Sequence, residues 1–327
     1  TMTTLIVTKP APRLDRFLHQ QAAAVSIKRW RQALRSGEVL VDGRRAVKGA
    51  ALVAGQIVSF PVDLPVRLVP AKPQPEPEFE LEILYQDNNL LALNKPANCH
   101  THPLTASETG TLANSLIAAF PELVGVGGFG SLQPGLLNRL DYATSGIVLV
   151  ARSNAVWGDI RRQFDHHLIR KEYLAEVEGR FLTEAIIEKD LTHDRGDHRR
   201  MVVSPPAEPC RGLYPARTEV CPLQFEASRN LTRVRLVMYS GVMHQLRVHL
   251  ADVGHPIFGD TLYGGKPFPL DKGKESETIS KNSFHLHCSQ LTLADGLVIK
   301  APLPEWCKDS TEVAVQVPSE RLHHAGN

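Results

Sequence analysis

The sequence contains the polar segment Asn138-Arg139-Leu140-Asp141-Tyr142-Ala143-Thr144-Ser145-Gly146, followed directly by the apolar run Ile147-Val148-Leu149-Val150-Ala151. The apolar run has the composition of a buried β-strand. The small residues before it permit a tight turn, so the pattern predicts that Asp141 lies in a polar loop at the N-terminal edge of this strand. Taken alone, the local pattern favours a turn or capping role for this carboxylate.

A helix and a strand are predicted directly after this motif. The helix begins near Ser153, and one of its faces carries apolar residues at steps of four: Val156, Ile160, Phe164 and Leu168. The strand runs from Lys171 to Val177, and its alternation places Lys171, Tyr173 and Ala175 on one face.

A second strand and helix follow further along the chain. The strand spans Leu231 to Tyr239, and the helix carries His244-Gln245-Leu246-Arg247-Val248-His249-Leu250. On that helix His244 and Arg247 are three positions apart and project together. Leu246, Leu250 and Val253 are predicted to form its core stripe before Gly254 ends it. An arginine near the start of a helix, at the end of a strand, can reach a loop carboxylate.

Taken together, five ordered blocks resemble the RluA/RluD family of pseudouridine synthases over about 220 residues. The matching blocks are Asn94-Lys95-Pro96, Arg139-Leu140-Asp141-x-x-Thr144-Ser145-Gly146, Lys171-x-Tyr173-x-Ala175-x-Val177-x-Gly179, Ala216-x-Thr218 with His244-Gln245-Leu246-Arg247-x-His249, and Gly254-x-Pro256-Ile257-x-Gly259-Asp260-x-x-Tyr263-Gly264. The resemblance implies an α+β catalytic domain whose mixed, largely antiparallel sheet cradles the active site.

The resemblance also implies isomerisation of a uridine already in RNA, without a cofactor. By that match Asp141 is the catalytic carboxylate, Tyr173 packs on the target base, and Arg247 pairs with Asp141. Arg139 is expected to enter the space that the flipped uridine leaves. The remaining residues of these blocks that we expect to bind substrate are Lys171, His244, Gln245 and Leu246. Whether the aspartate acts as nucleophile or base stays open.

This chain departs from the usual family pattern at two places. Asn138 stands where the family usually has histidine, and Val242-Met243 stand where it usually has Arg-Thr. Asparagine keeps the capacity to form hydrogen bonds but cannot be cationic. Lys95-Pro96, although part of a matching block, is also readable as a simple turn between strands.

The N-terminal segment is strongly basic. Residues 1–60 contain ten Lys/Arg and three acidic residues, a net charge of +7, so the remainder carries −5 because the whole chain carries +2. Ser26 is predicted to cap a helix through Ser36, and Asp42-Gly43 to form the turn of a hairpin. This segment resembles the alpha-L RNA-binding domain of ribosomal-protein type, through Arg13-Leu14-Asp15-Arg16-Phe17-Leu18, the helix from Ser26 to Leu34, Gly37-x-Val39-x-Val41-Asp42-Gly43 and Gly55-x-Ile57. Its expected RNA contacts are Lys28, Arg29, Arg31, Arg35, Arg44 and Arg45.

The distribution of prolines and of polar residues along the chain suggests the domain organisation. We expect an RNA-binding domain over residues 1–65, a proline-rich linker over 66–80, a catalytic domain over 81–317 and a polar tail over 318–327. No apolar run approaches the ~20 residues that span a bilayer, and no secretory signal is visible, so the cytoplasm is the expected compartment. Five scattered cysteines without a CxxC pair predict neither a disulfide framework nor a metal site. The Gly-rich stretch 125–130 lacks the pattern of a nucleotide-binding loop.

The function expected from the sequence is uridine-to-pseudouridine isomerisation in structured RNA, with ribosomal RNA favoured over transfer RNA. One rival is a non-catalytic RNA-binding factor for ribosome assembly on the same scaffold, motivated by Asn138 and Val242. Another is a glycosidase, which would release free uracil. The first rival does not need Asp141, so substitution of that residue separates the alternatives.

Overall fold

A computed structural model describes residues 2–22, 25–47, 49–65, 72–76, 80–128, 132–197, 199–205, 212–269 and 283–308. The predicted polar tail and most of the predicted linker lie outside the described residues. The chain divides into two compact units, one formed by residues up to 72 and the other by most residues from 73 onward. Within the described ranges, none of the helices is both long and apolar enough to cross a membrane.

The first unit has a four-stranded antiparallel sheet in the order β1-β4-β2-β3. Its strands are β1 (Met2–Ile6), β2 (Leu40–Val41), β3 (Arg44–Arg45) and β4 (Ile57–Pro61), and its described helices are α1 (Leu14–Gln21) and α2 (Ile27–Ser36). A separate hydrophobic core, which includes Trp30 and Leu34 of α2, lies between these elements.

The predicted capping and turn signals of this unit are confirmed. The Ser26 side chain accepts a hydrogen bond from the Arg29 amide at the start of α2. Asp42 and Gly43 both have positive φ, 49° and 76°, as a type I′ hairpin turn requires. Of the predicted returning strand, Arg44 to Lys48, the structure describes residues 44–47, and among these only Arg44 and Arg45 pair as β3.

The second unit is built around a nine-stranded sheet in the order β5-β6-β7-β14-β8-β13-β12-β9, with β15 paired to β14. Among the described strands, β7 and β14 are the only neighbours that pair in parallel, so the predicted mixed, largely antiparallel sheet is confirmed. The strands are β5 (Ile83–Gln86), β6 (Leu90–Lys95), β7 (Ser145–Ala151), β8 (Arg170–Glu178), β9 (Ala185–Glu188), β12 (Arg217–Glu226), β13 (Leu231–Met238), β14 (Leu286–Thr292) and β15 (Val298–Lys300), and β10 (Leu191–His193) pairs with β11 (Met201–Val203) as a separate hairpin.

The described helices of this unit are α3 (Leu112–Ala119), α4 (Asn154–Asp165), α5 (Gln245–Asp252) and the single turn α6 (Glu305–Lys308). Ile160 and Phe164 of α4, and Leu246 and Leu250 of α5, are buried as predicted. The predictions for Leu168 and Val253 were wrong, because these side chains are 55% and 38% exposed. Both lie past the last residue of their helix, where the helical periodicity no longer holds.

Candidate active site

The loop that carries Asp141 is fixed at the N-terminal edge of β7, as the sequence predicted. The hydroxyl of Thr101 donates to the carbonyl of Leu140 (2.8 Å) and accepts from the amide of the same residue (3.1 Å). Within the turn, the Thr144 amide donates to the Asp141 carbonyl (3.1 Å). These contacts leave the loop backbone little freedom, so the Asp141 side chain starts from a defined position.

Asn138 fixes the beginning of the motif against the same strand. Its side-chain amide donates to the Ile147 carbonyl (3.1 Å), and its side-chain oxygen accepts from the Leu149 amide (2.7 Å). The side chain thus pairs with β7 as a further peptide group would. This residue, which departs from the usual family pattern, has a structural role that needs no positive charge.

Gly146 permits a close approach of two strands beside the loop. Its φ is +110°, and a Cβ at this position would lie 2.2 Å from the carbonyl oxygen of Cys288 on β14. Since β14 also pairs with β8, with Cys288 opposite Tyr173, this contact sets the distance between the Asp141 loop and Tyr173.

Arg247 joins two carboxylates. Its Nη1 donates to Oδ2 of Asp141 (3.0 Å), while Nε and Nη2 donate to the two oxygens of Asp260 (2.6 and 2.9 Å). Burial acts to lower the pKa of Arg247, but the hydrogen bonds and charges of Asp260 and Asp141 outweigh it, so the pKa lies above its usual value. The Asp141 side chain keeps 31% of its surface exposed, so the oriented carboxylate is also reachable.

His244 and Tyr263 complete the surroundings of this carboxylate. Nε2 of His244 lies 3.8 Å from Oδ2 of Asp141, and Nδ1 is hydrogen-bonded to the Tyr263 hydroxyl (2.8 Å). The Arg247 guanidinium lies 5.0 Å from the centre of the Tyr263 ring and 4.5 Å from that of Phe284, both within cation–π range. His244 precedes α5 with φ +55° and does not lie on the helix as predicted, but its side chain and that of Arg247 both project towards Asp141.

Lys95 is fully buried and contacts the backbone of the Asp141 loop. Its ammonium donates to the carbonyls of Cys99 (2.7 Å), Pro96 (2.8 Å) and Tyr142 (3.3 Å). Burial lowers its pKa to about 8, although the nearby charge of Asp141 acts in the opposite direction. Lys95 is therefore more than part of a turn, because it fixes the residue that follows Asp141.

Tyr173 lies on β8 and is only 4% exposed. Burial raises the pKa of its hydroxyl well above the usual value, with further contributions from Cys288 and from the charge of Asp141. Burial likewise raises the pKa of the Cys288 thiol to about 12. The phenol therefore remains protonated at neutral pH, in apolar surroundings and under the influence of the negative charge of Asp141.

Three residues expected to bind substrate are occupied within the protein. The Lys171 ammonium donates to the Tyr239 carbonyl (2.9 Å), and burial lowers its pKa to about 8. The Gln245 side chain accepts from Ser240 (2.7 Å) and donates to the Arg217 carbonyl (3.0 Å), while Leu246 packs in the hydrophobic core. The contacts of Lys171 and Gln245 indicate that these two residues position the loop before α5. Contact of Lys171, Gln245 and Leu246 with the substrate stays a prediction.

Arg139 differs from these residues because its side chain is exposed. It lies near His102, whose pKa falls to about 4, mainly through burial and in part through the positive charge of Arg139. An exposed guanidinium two residues before Asp141 is accessible to RNA, and its entry into the space left by a flipped uridine stays a prediction.

The six basic residues predicted to contact RNA differ in their surroundings. Nε of Arg31 donates to the buried Asp15 (2.6 Å), which Arg13 also contacts, so Arg31 has a partner inside its own unit. The other five residues form no ion pair with any described residue: Lys28, Arg29, Arg35, Arg44 and Arg45. Four of these five are exposed, and Arg29 is half-buried.

Sequence reasoning did not single out Lys95, Asp260 or Tyr263 as site residues. All three stand in the blocks that carry the resemblance, and that was the available signal. Their roles depend on partners distant in sequence, and such pairings leave no local pattern. In the described part of the chain, no group of three His, Cys, Asp or Glu side chains could hold a metal ion.

Comparisons with known proteins identify the family that the chain is similar to. A family model described as RNA pseudouridylate synthase matches residues 89–252, half of the chain. The ribosomal large subunit pseudouridine synthase D of Zymomonas mobilis is 30% identical, over 77% of each chain. An RNA pseudouridine synthase of Chloroflexus aurantiacus is 34% identical over 79% of this chain and 77% of its own. The structure of human RNA pseudouridylate synthase domain containing 1 matches with a TM-score of 0.53 and 26% identity, covering 70% of this chain and 86% of that one.

Proposed function

The chain belongs to the RNA pseudouridylate synthase family, and on that basis we propose that it converts particular uridines of large-subunit ribosomal RNA to pseudouridine. Membership makes the protein an isomerase that acts on RNA. Relatives named ribosomal large subunit pseudouridine synthase D, from several bacteria, favour ribosomal RNA over transfer RNA as its substrate.

The observation that carries the assignment of Asp141 is its hydrogen bond with Arg247. The reaction breaks the bond between uracil N1 and the ribose, turns the base, and joins uracil C5 to the same ribose carbon. Since no water is added overall, a single carboxylate suffices, whereas glycoside hydrolysis commonly uses two. Asp141 serves as that group, either as the nucleophile or as the base.

The target uridine must leave its stack before Asp141 reaches it. Extrusion costs roughly a few kcal/mol, which contacts to the base and to the phosphates offset. We assign to Tyr173 the contact with the target base, and to Arg139 the filling of the space that the uridine leaves. The exposed basic residues of the first unit are assigned the contacts with the phosphates. This division of labour separates the chemistry, in the second unit, from much of the affinity, in the first.

Tritium release from RNA labelled at uridine C5 tests the proposal, because C5 loses its hydrogen when it bonds to ribose. Ribosomal and transfer RNA transcripts are compared with wild type, Asp141→Asn and the control Asp159→Asn, which alters an exposed helix carboxylate. Wild type and control should release tritium from ribosomal RNA. Asp141→Asn should fall below a tenth of that rate while its RNA affinity and melting temperature stay nearly unchanged.

Other outcomes point elsewhere. Release from transfer RNA alone would change the substrate, and free uracil would indicate a glycosidase. Activity of Asp141→Asn above a tenth of wild type contradicts the role of Asp141. Tight RNA binding without release, with rescue of a deletion phenotype by Asp141→Asn, favours the assembly factor.

A further inference from the structure

Two aromatic side chains lie together beside Asp141 and have no part in the chemistry described above. Tyr142 follows Asp141 directly, and 36% of it is exposed. The exposed imidazole of His100 lies against it, with ring centroids 4.8 Å apart and planes inclined by 52°. Tyr142 occupies one of the two open positions in the signature around Asp141, so the family resemblance assigns it no role.

Both rings stand on backbone that is held in place. The Tyr142 carbonyl accepts from the Cys99 amide (3.1 Å) and from the Lys95 ammonium (3.3 Å). The His100 carbonyl accepts from the Leu112 amide (3.0 Å) at the start of α3. Because these backbones are already ordered, a ligand that packs on the rings pays little further conformational entropy.

The ligand that fits these rings is a nucleobase. A nucleotide adjacent to the extruded uridine is held close to Asp141, because the RNA backbone joins it to the uridine. Base–aromatic stacking contributes about 1–3 kcal/mol per base and tolerates any base, since each has a π-face.

We propose that Tyr142 and His100 form a stacking site for an unpaired base adjacent to the target uridine. This inference rests on the proposed function, since it assigns a second subsite to the same RNA. It makes Tyr142 a residue that selects for an unpaired neighbour of the target and leaves the bond-breaking step to Asp141.

The test compares wild type with Tyr142→Ala, Tyr142→Phe and His100→Ala on an RNA stem-loop that contains the mapped target uridine. Tyr142→Ala should raise KM in the tritium assay, and Kd in filter binding, about 10-fold, with kcat within about twofold. His100→Ala should act in the same direction, and Tyr142→Phe should remain close to wild type. Tyr214→Ala is the matched control, because Tyr214 is 42% exposed and also contacts a histidine ring.

Abasic substitutions in the same RNA identify the stacked base. Removing one particular base next to the target should weaken binding by wild type about 10-fold and have little further effect on Tyr142→Ala. The proposal is overturned if Tyr142→Ala binds as wild type does, if Tyr142→Phe loses as much as Tyr142→Ala, or if every abasic penalty is the same in both proteins. If wild type binds ribosomal RNA but converts no uridine, the proposed function fails, and Kd with unmodified ribosomal RNA still decides on the stacking site.

Discussion

Arg247 and Asp260 form a buried, two-pronged ion pair in which Nε and Nη2 of the guanidinium contact both oxygens of the carboxylate. This pairing fixes the plane of the guanidinium and leaves Nη1 to donate to Asp141. Asp260 makes no direct hydrogen bond to Asp141, yet it sets the direction from which Arg247 approaches. It is a positioning residue, in contrast to the proposed catalytic role of Asp141.

We expect Asp260→Asn to lower kcat at least about tenfold and to leave KM for RNA within about threefold. The amide retains the volume but accepts only through one oxygen, so the guanidinium turns away from Asp141. Arg247→Lys should lose about 100-fold in kcat, because an ammonium cannot contact both carboxylates in this geometry. Single-turnover tritium release measures both. A folded Asp260→Asn protein with full kcat would contradict the positioning role.

Lys95→Met should reduce both stability and turnover. Methionine fills much of the volume but leaves three carbonyls, those of Cys99, Pro96 and Tyr142, without their shared donor. We expect the free energy of unfolding to fall by about 2–3 kcal/mol and kcat to fall because the Asp141 loop loses one of its anchors. Urea unfolding and tritium release give the two values. The exposed control Lys300→Met should change neither.

Elements that depend on near neighbours follow from local signals in the sequence, whereas contacts between distant residues do not. The β7 run, the Ser26 cap and the Asp42-Gly43 turn are local signals, because each depends on neighbours within a few positions, and all three were predicted correctly. Lys95 bonds a carbonyl 47 positions away, and only the folded chain brings them together. Leu168 continued a helical period past the end of α4, where His167 has φ +56°. Periodicity indicates a face but does not indicate where the helix stops.

Reversal of the exposed basic residues in the first unit should weaken RNA binding without affecting the chemistry. Replacing Lys28, Arg35, Arg44 and Arg45 by glutamate should raise Kd and reduce the salt dependence of binding, since each lost phosphate contact lowers the slope by about 0.7–0.9. The control is Arg31→Ala, which removes a partner of buried Asp15 and should mainly lower stability. Filter binding between 50 and 200 mM salt, as for other nucleic-acid complexes, separates the effects. An unchanged slope in the fourfold variant would place the RNA contacts elsewhere.

His287 should make stability depend on pH in the mildly acidic range. Burial lowers its pKa to about 4, from the ordinary value of 6.5, while its Nδ1 is hydrogen-bonded to the Ser145 hydroxyl. Below pH 6.5 His287 is protonated in the unfolded chain, whereas in the folded chain it stays neutral until the pH approaches 4. The stabilisation is therefore complete above pH 6.5 and is lost as the pH falls towards 4.

Between pH 7 and pH 5 this residue alone should remove about 2 kcal/mol from the free energy of unfolding. Urea unfolding at the two pH values measures the loss. His287→Gln should show a loss smaller by that amount, because glutamine does not titrate. The same pH dependence in both proteins would exclude His287 as a source of the acid sensitivity.

The contact between Asp141 and Arg247 joins residues 106 positions apart. Strand β14 lies between β7 and β8 in the sheet, yet it follows both strands and both residues in the sequence. The ribosome delivers a chain from its N-terminus, and domains generally fold as units in that order. The first unit, with its own core, becomes able to fold early in synthesis. The active site forms only after β14 has emerged, so a nascent chain stalled before that strand has a complete basic unit but no working catalytic centre. Turnover therefore reports on the completed synthesis and folding of the second unit.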